Sequence, residues 1–290
     1  MLTYEGKVYR PPSEWRSLIV QATVGCSNNT CTFCGMYKED HFHIKEEKDL
    51  FRELEEEAQA FQDYEKIFIA DGDALCLSTD RLLRLMTKLK DLFPLCKRIG
   101  IYATALDINR KSLEELKKLK EAGLGIVYLG LETGSNELLK KIKKNMEAED
   151  YIKAAAKLHE VGIFQSVTLI TGLAGAGKSI SYAKETAEVI SQMNPEYVSY
   201  LTLMLDEGSE LLESYKKGEF KPAGPDEALE EIYVFLDHYH GKGPSIFRSN
   251  HASNYLSLAG DLPKDVENLK TQIRASIRNE AYKDESFRRL

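Results

Sequence analysis

Cysteine, proline and tryptophan are scarce, with 5, 8 and 1 copies in 290 residues. Few cysteines in an odd count, in a long chain, argue against a disulfide-stapled scaffold. There is no apolar run long enough to span a bilayer, so no membrane is expected. The opening Met1-Leu2-Thr3-Tyr4-Glu5-Gly6-Lys7 lacks the apolar core of a signal peptide, and the expected setting is a reducing cytoplasm. Positive charge is also in short supply. A formal net charge of −7 argues against broad, charge-driven nucleic-acid binding. The densest basic run, Lys140-Lys141-Ile142-Lys143-Lys144, reads as a solvated helix face. Low-complexity stretches and Gly/Ser linkers are missing too, so a single domain over residues 1–290 is expected. It would have an N-terminal arm (1–17), a core (18–206) and a C-terminal closing segment (207–290). A hydrophobic content of 43% is ample for that core.

What cysteine there is, is concentrated. Three of the five crowd into Gly25-Cys26-Ser27-Asn28-Asn29-Thr30-Cys31-Thr32-Phe33-Cys34-Gly35-Met36-Tyr37. The loop follows an apolar run, Leu18 to Val24, that reads as a buried strand. Three thiolates so spaced can converge on one centre and leave a fourth position open. An iron–sulfur cube with three cysteine ligands keeps one iron free for another ligand. A structural zinc site, with Cys26, Cys31, Cys34 and either His41 or His43, is the alternative. Cys76 and Cys96 lie far off in apolar surroundings and read as inert buried thiols.

Along the chain, short apolar strands alternate with helices. Strands are predicted at 66–70, 98–105, 125–131, 165–170 and 197–205, with a last one near 245–247. Helices are predicted at 46–64, 81–92 (capped by Thr79-Asp80), 112–122, 136–144, 150–161, 179–193, 211–216, 226–239 and 262–277. This is the pattern of βαβ units and a parallel sheet. Right-handed crossovers favour a barrel or a doubly wound sheet, and about six units are too few for a full eight-fold barrel; the expected fold class is α/β, a partial (β/α)6 TIM-like barrel with mainly parallel strands. In such folds chemistry sits at the carboxyl ends of strands. The polar clusters Asp71-Gly72-Asp73, Asp107, Glu132 to Ser135, Gly172 to Ser179 and Asp206-Glu207 all fall there.

One of these clusters competes for the assignment. Gly172-Leu173-Ala174-Gly175-Ala176-Gly177-Lys178-Ser179 matches the phosphate-loop pattern, between a strand and a helix. Asp206, after an apolar strand, would be its magnesium-binding acid. A P-loop nucleotide-binding protein with a structural zinc site is therefore the alternative function. It leaves the cysteine loop without a catalytic role.

The cysteine loop, Ala70-Asp71-Gly72-Asp73-Ala74-Leu75, Leu129-Gly130-Leu131-Glu132-Thr133-Gly134-Ser135-Asn136-Glu137-Leu138-Leu139, Ile170-Thr171-Gly172-Leu173-Ala174-Gly175 and Tyr200-Leu201-Thr202-Leu203 together resemble the radical S-adenosylmethionine (SAM) superfamily. The likeness is strongest to the cores of oxygen-independent coproporphyrinogen oxidases and methylthiotransferases. Four residues separate Cys26 from Cys31, where the family usually has three. Asp71 stands where the first glycine of a Gly-Gly-Glu-like turn is usual. The resemblance implies an oxygen-sensitive enzyme in which Cys26, Cys31 and Cys34 hold a [4Fe–4S] cluster whose open iron binds SAM. An external one-electron donor of flavodoxin or ferredoxin type would drive SAM cleavage. The 5′-deoxyadenosyl radical would then abstract hydrogen from an unidentified, small substrate. It further implies that Gly72, Asp73 and Glu132 contact SAM polar groups, that Tyr37 packs on the adenine, and that Thr168 and Gly172 line the adenine side.

Phe247 to Leu256 is polar and lies outside that common core. A capped short helix through Tyr255 and Leu256 is one expectation. The functional one is that the stretch closes the open side of the barrel and points Arg248, His251 and Asn254 at substrate. Arg248 would pair with an anionic group and His251 would move a proton.

Overall fold

The computed structural model describes residues Leu2 to Arg288. Its strands are β1 (Leu18–Gln21), β2 (Thr23–Val24), β3 (His43–Ile44), β4 (Lys66–Ala70), β5 (Arg98–Ala103), β6 (Leu124–Glu132), β7 (Phe164–Thr171), β8 (Tyr197–Thr202), β9 (Ser245–Ser249) and β10 (Leu258–Leu262). The helices are α1 (Glu47–Ala60), α2 (Thr79–Leu92), α3 (Ala105–Arg110), α4 (Leu113–Glu121), α5 (Asn136–Lys141), α6 (Ala148–Val161), α7 (Ser179–Met193), α8 (Glu210–Lys216), α9 (Pro225–His238) and α10 (Val266–Arg278). Eight strands form one sheet in the order β1-β4-β5-β6-β7-β8-β9-β10, and β2 pairs with β3. The pairings are parallel from β1 to β5 and from β7 to β9, and antiparallel for β10 on β9. This is the expected α/β class with mainly parallel strands. Among the described residues no helix is long and apolar enough to cross a membrane.

The chain falls into two compact units. The first holds Met1–Asn29, Met36–Leu129 and Ala156–Gln165. Its central strand β4 has Ile67, Phe68, Ile69 and Ala70 all fully buried, the near-continuous apolar run of a strand covered on both faces. Phe68, Tyr102 and Tyr128 meet edge to face at centroid distances of 4.8, 5.5 and 6.2 Å. The N-terminal arm packs into this unit. Glu14 is wholly buried and accepts from Ser17, Tyr128 and Arg98. The buried acceptors are satisfied because each neighbour is a donor.

The second unit holds Thr30–Gly35, Gly130–Ala155 and Ser166–Leu290. Here the strand pattern alternates. Val167, Val198 and Phe247 are fully buried, and Phe247 and Tyr200 pack on Phe235 of α9. Thr168, Ser199 and Arg248 share the opposite phase, aligned strand by strand and half-buried.

Three local expectations are corrected. Ser78, not Thr79, caps α2, because its hydroxyl reaches the Arg81 amide at 3.4 Å. Asp107 is no strand-end acid open to a ligand. It closes a capping box with Thr104 at the start of α3. The stretch after Phe247 forms no capped helix. It turns at 251–257 and returns as the edge strand β10.

Candidate functional site

In the first unit the site is built where β4 ends. Gly72 lies against the first cysteine. A Cβ there would fall 2.7 Å from Cys26 Cβ and 2.8 Å from the Gly25 carbonyl. Only glycine lets this turn close. The acids on either side each grip the cysteine loop. Asp73 is fully buried and accepts the Ser27 amide at 3.1 Å and the Ser27 hydroxyl. Asp71 accepts from Tyr37 Oη at 3.0 Å and Gln21 Nε2 at 2.9 Å, with the Gly25 backbone adding a bond. Burial pushes both carboxyls up to about 6, and those hydrogen bonds pull back against it. Tyr37 is itself buried and meets Tyr9 edge-on at 5.5 Å. Burial, then the Asp71 charge, raises its phenol well above the usual range. The structure thus places Tyr37 and Asp73 as braces of the loop.

In the second unit the remaining cysteines sit on a stapled segment. The Thr32 amide donates to the Ile142 carbonyl at 3.0 Å, and the Leu211 amide donates to the Thr32 carbonyl at 2.9 Å. Phe33 packs on Leu138, Ile142, Leu173 and Ala174. At Gly35 a Cβ would come 2.2 Å from the Glu207 carbonyl and 2.8 Å from Asp206 Oδ2. Asp206 and Glu207 therefore back the cysteine segment.

Glu132 ends β6 with φ of +67°, and its side chain is nine-tenths buried. Its Oε1 pairs with Lys144 Nζ at 2.8 Å. The solvated-face reading of Lys144 is therefore corrected: left-handed backbone at Lys143 and Asn145 accompanies its inward turn. Burial works against the Lys144 charge, but Glu132, then Tyr151 and Cys31, raise its pKa overall. Two buried atoms beside this pair, Glu132 Oε2 and Tyr151 Oη, have no hydrogen-bond partner among the described residues. Leaving such groups unmade is costly, which singles out this pair within the second unit. From sequence Lys144 has no site role, only a place in the basic run, and Tyr151 has none. The signal available was only a lysine ending a basic run and an aromatic within a helix.

The phosphate-loop match dissolves on inspection of its amides. Gly172 N–H donates to Glu231 Oε2 at 2.8 Å, Ala176 N–H to the Lys221 carbonyl at 2.8 Å, and Gly177 N–H to Glu227 Oε1 at 2.6 Å. Two glutamate side-chain oxygens stand where phosphate oxygens would be held, and Lys178 is exposed. Thr168 is half-buried on β7, three residues before the strand ends at Thr171.

Of the C-terminal residues, Asn254 is 2% exposed and spent on the end of β8. It donates to the Tyr200 carbonyl at 2.7 Å and accepts from Thr202 Oγ1 at 3.0 Å. His251 Nδ1 accepts the Ser253 amide at 3.1 Å, which puts the proton of the neutral ring on Nε2. Burial, helped by Lys283, lowers its pKa. Arg248 Nη1 donates to the carbonyls of Phe247 at 2.7 Å and Gly260 at 3.3 Å.

The donor set suits an iron–sulfur cube, in which each thiolate takes a different iron. Among the described residues no three His, Cys, Asp or Glu side chains gather on one ion position. His43 instead faces Glu5 at 3.1 Å and the His41 carbonyl at 3.0 Å. A parallel α/β sheet with a three-thiolate loop and an acid–glycine–acid turn at its strand ends defines a cluster-binding enzyme scaffold. The chain belongs to the radical SAM superfamily, whose model matches residues 20–190. Enzymes of that family use a [4Fe–4S] cluster and SAM.

Relatives by sequence include the tRNA uridine(34) acetyltransferase of Methanocaldococcus infernus, 35% identical over 42% of this chain and 23% of its own length. Another is the heme chaperone HemW of Bacillus subtilis, 24% identical over 60% of this chain and 45% of its own. The chain thus spans less than half the length of these curated relatives. Among solved structures, methylornithine synthase (PylB) matches with a TM-score of 0.57 at 15% identity, over 89% of this chain and 68% of that one. The methyltransferase TsrM of Kitasatospora setae matches at 0.56 and 18%, over 73% and 42%. At these identities the likeness is one of fold.

Proposed function

We propose that this protein is a radical SAM enzyme, one domain over residues 1–290, that cleaves SAM reductively and abstracts hydrogen from a small substrate. The observation that supports it most is the buried Glu132–Lys144 pair near Cys31, with Glu132 Oε2 left unpartnered. Cys26, Cys31 and Cys34 would hold the [4Fe–4S] cluster. When bound, cluster and SAM supply a one-electron carbon–sulfur cleavage that yields a hydrogen-abstracting radical. The chain's own residues bind and orient. Gly72 brings its backbone close to Cys26, and Asp71, Asp73 and Tyr37 fix the loop. Glu132 Oε2 accepts a SAM hydroxyl or ammonium proton, and Lys144 offers a positive charge to a carboxylate. Thr168 and Gly172 flank the adenine. Arg248 and His251, on and after β9, remain the substrate-side candidates. Asn254 holds their segment to β8. The electron comes from an external donor of flavodoxin or ferredoxin type.

The test is anaerobic reconstitution with iron and sulfide. Wild type should turn brown and form 5′-deoxyadenosine from SAM under reduction. Cys26→Ala, Cys31→Ala and Cys34→Ala should each lose the cluster and the product, while Cys76→Ala and Cys96→Ala keep both. A Cys31→Ala protein cleaving SAM at full rate would end this reading. A second reading, tRNA as substrate, draws on the similarity to the archaeal acetyltransferases. A gel-shift with bulk tRNA separates the two, with no retardation expected for a small-molecule enzyme.

A further inference from the structure

The basic run 140–144 divides in the structure. Lys144 turns in to Glu132, whereas Lys140 and Lys141 at the C-terminal end of α5, and Lys143 after it, are exposed. Lys143 pairs with Glu210 at 2.7 Å, both side chains half-exposed. Lys140 and Lys141 make no ion pair among the described residues. The same segment is bonded directly to the cysteine loop. Thr32 N–H donates to the Ile142 carbonyl at 3.0 Å, the Thr30 hydroxyl to the Lys143 carbonyl at 3.2 Å, and Asn145 Nδ2 to Thr30 Oγ1 at 3.0 Å. Thr30 and Thr32 are the neighbours of Cys31 on either side, and Thr30 is exposed. The segment that carries Lys143 is therefore bonded to the chain that carries Cys31, and Lys140 and Lys141 precede it on the same helix end. All three stand on a protein of net charge −7.

We propose that the Lys140–Lys141–Lys143 surface docks an acidic one-electron carrier protein; this rests on the radical SAM reading. The carrier gives up one electron and the cluster gains it, with no proton moved and no bond formed or broken. Charge complementarity favours this occupant. An acidic carrier is repelled by the net field of the chain and attracted at this patch. That difference orients its redox group toward the Cys31 segment and speeds productive encounter. A bare helix C-terminus explains a single lysine in the last turn through its dipole. It does not explain two unpaired lysines and a third beyond the helix, on the segment bonded to the Cys31 loop.

The test uses reconstituted holoprotein and a bacterial flavodoxin in its hydroquinone form, which is oxidised to the semiquinone as it donates. Equilibrium binding is measured at low and high ionic strength, and cluster reduction by electron paramagnetic resonance. The K140E/K141E variant should bind flavodoxin about tenfold more weakly at low salt and lose most of the salt dependence. Its flavodoxin-driven reduction should slow in proportion. K140R/K141R should behave as wild type, and K140A/K141A should show a smaller loss of the same kind if the charge reversal unfolds the protein. Photoreduced deazaflavin, a small reductant that needs no docking, should reduce every variant at the wild-type rate. Equal flavodoxin affinity in wild type and in the charge-reversed or alanine variants overturns the proposal. So does a wild-type affinity that salt leaves unchanged. Failure of the radical SAM reading looks different: deazaflavin then produces neither a reduced-cluster signal nor 5′-deoxyadenosine, even in wild type.

Discussion

The turn after β4 and the turn after β7 look alike in sequence. Each ends an apolar parallel strand, and each sets glycine among polar residues. They spend those groups differently. In Asp71-Gly72-Asp73 both acids are buried and hold the cysteine loop at Gly25, Ser27 and Tyr37, with Asp71 also bonded to Gln21 of β1, while Gly72 is in contact with Cys26. In Gly172 to Ser179 the amides are satisfied by Glu231, Lys221 and Glu227. A glycine-rich motif therefore describes the path of a backbone and says nothing of whether its donors are open. Two glutamate side chains already seated on the amides of a loop are a stronger statement about phosphate than any match of spacing.

The sharpest way to break the comparison is to add one methyl group to each turn. At Gly72 an alanine Cβ meets backbone and Cys26 below 3 Å, so the cysteine loop has to shift. At Gly177 an alanine Cβ meets nothing within 4 Å, and only its φ of +78° is unfavourable. Gly72→Ala is expected to lower iron content and cut SAM cleavage about 100-fold, the effect of displacing a reacting group by about an ångström. Gly177→Ala should cost about 1 kcal/mol of stability and leave cleavage intact. Iron analysis, product formation and thermal melts check both. Equal activity losses would mean that the two turns serve the site alike.

A second test asks what Glu231 does for the β7 turn. Its carboxyl is buried beneath Gly172 and pushed up from 4.5 to about 8 by burial, against the Gly172 hydrogen bond. Folded protein therefore keeps the proton where unfolded chain has lost it. Stability is full below the unfolded value and falls as pH rises from about 4.5 toward 8. Glu231→Gln removes that slope while keeping an acceptor for the Gly172 amide. The variant should gain on wild type by a few kcal/mol across this window, read as the difference between denaturant midpoints at pH 5 and pH 8. A constant difference at both pH values would show Glu231 to be ionised throughout.

The comparison also marks what could be read ahead. The cysteine loop and the parallel alternation were legible because each is local: three thiolates in nine residues, and apolar strands between capped helices. Gly72 stood out only through the resemblance, as a SAM contact, and its approach to Cys26 was not legible. Lys144 was not, because its direction accompanies left-handed backbone at Lys143 and Asn145 rather than its own pattern. Strand β10, Leu258–Leu262, was missed because Leu-Ala-Gly-Asp-Leu has little strand preference. It is held by pairing with β9, a tertiary effect. Asn254 was read as a substrate group because an exposed-looking polar residue in a loop gives no hint of the β8 carbonyl it meets.

The smallest expected effect falls on Lys178, the residue that a true phosphate loop needs most. Its ammonium would sit against the outer phosphates, and its loss would remove nucleotide binding. Here Lys178 is exposed, precedes the first turn of α7, and follows amides already bonded to carboxyl and carbonyl oxygens. A phosphate arriving at this turn would have to displace Glu227 and Glu231, which already take its amides. Lys178→Ala should therefore change stability by no more than about 0.5 kcal/mol, as at other surface positions. It should leave SAM cleavage at the wild-type rate, and neither protein should bind Mg·ATP in a calorimetric titration. Tight Mg·ATP binding by wild type, lost in the variant, would show that the two glutamate side chains move aside and that the β7 turn is a ligand site after all.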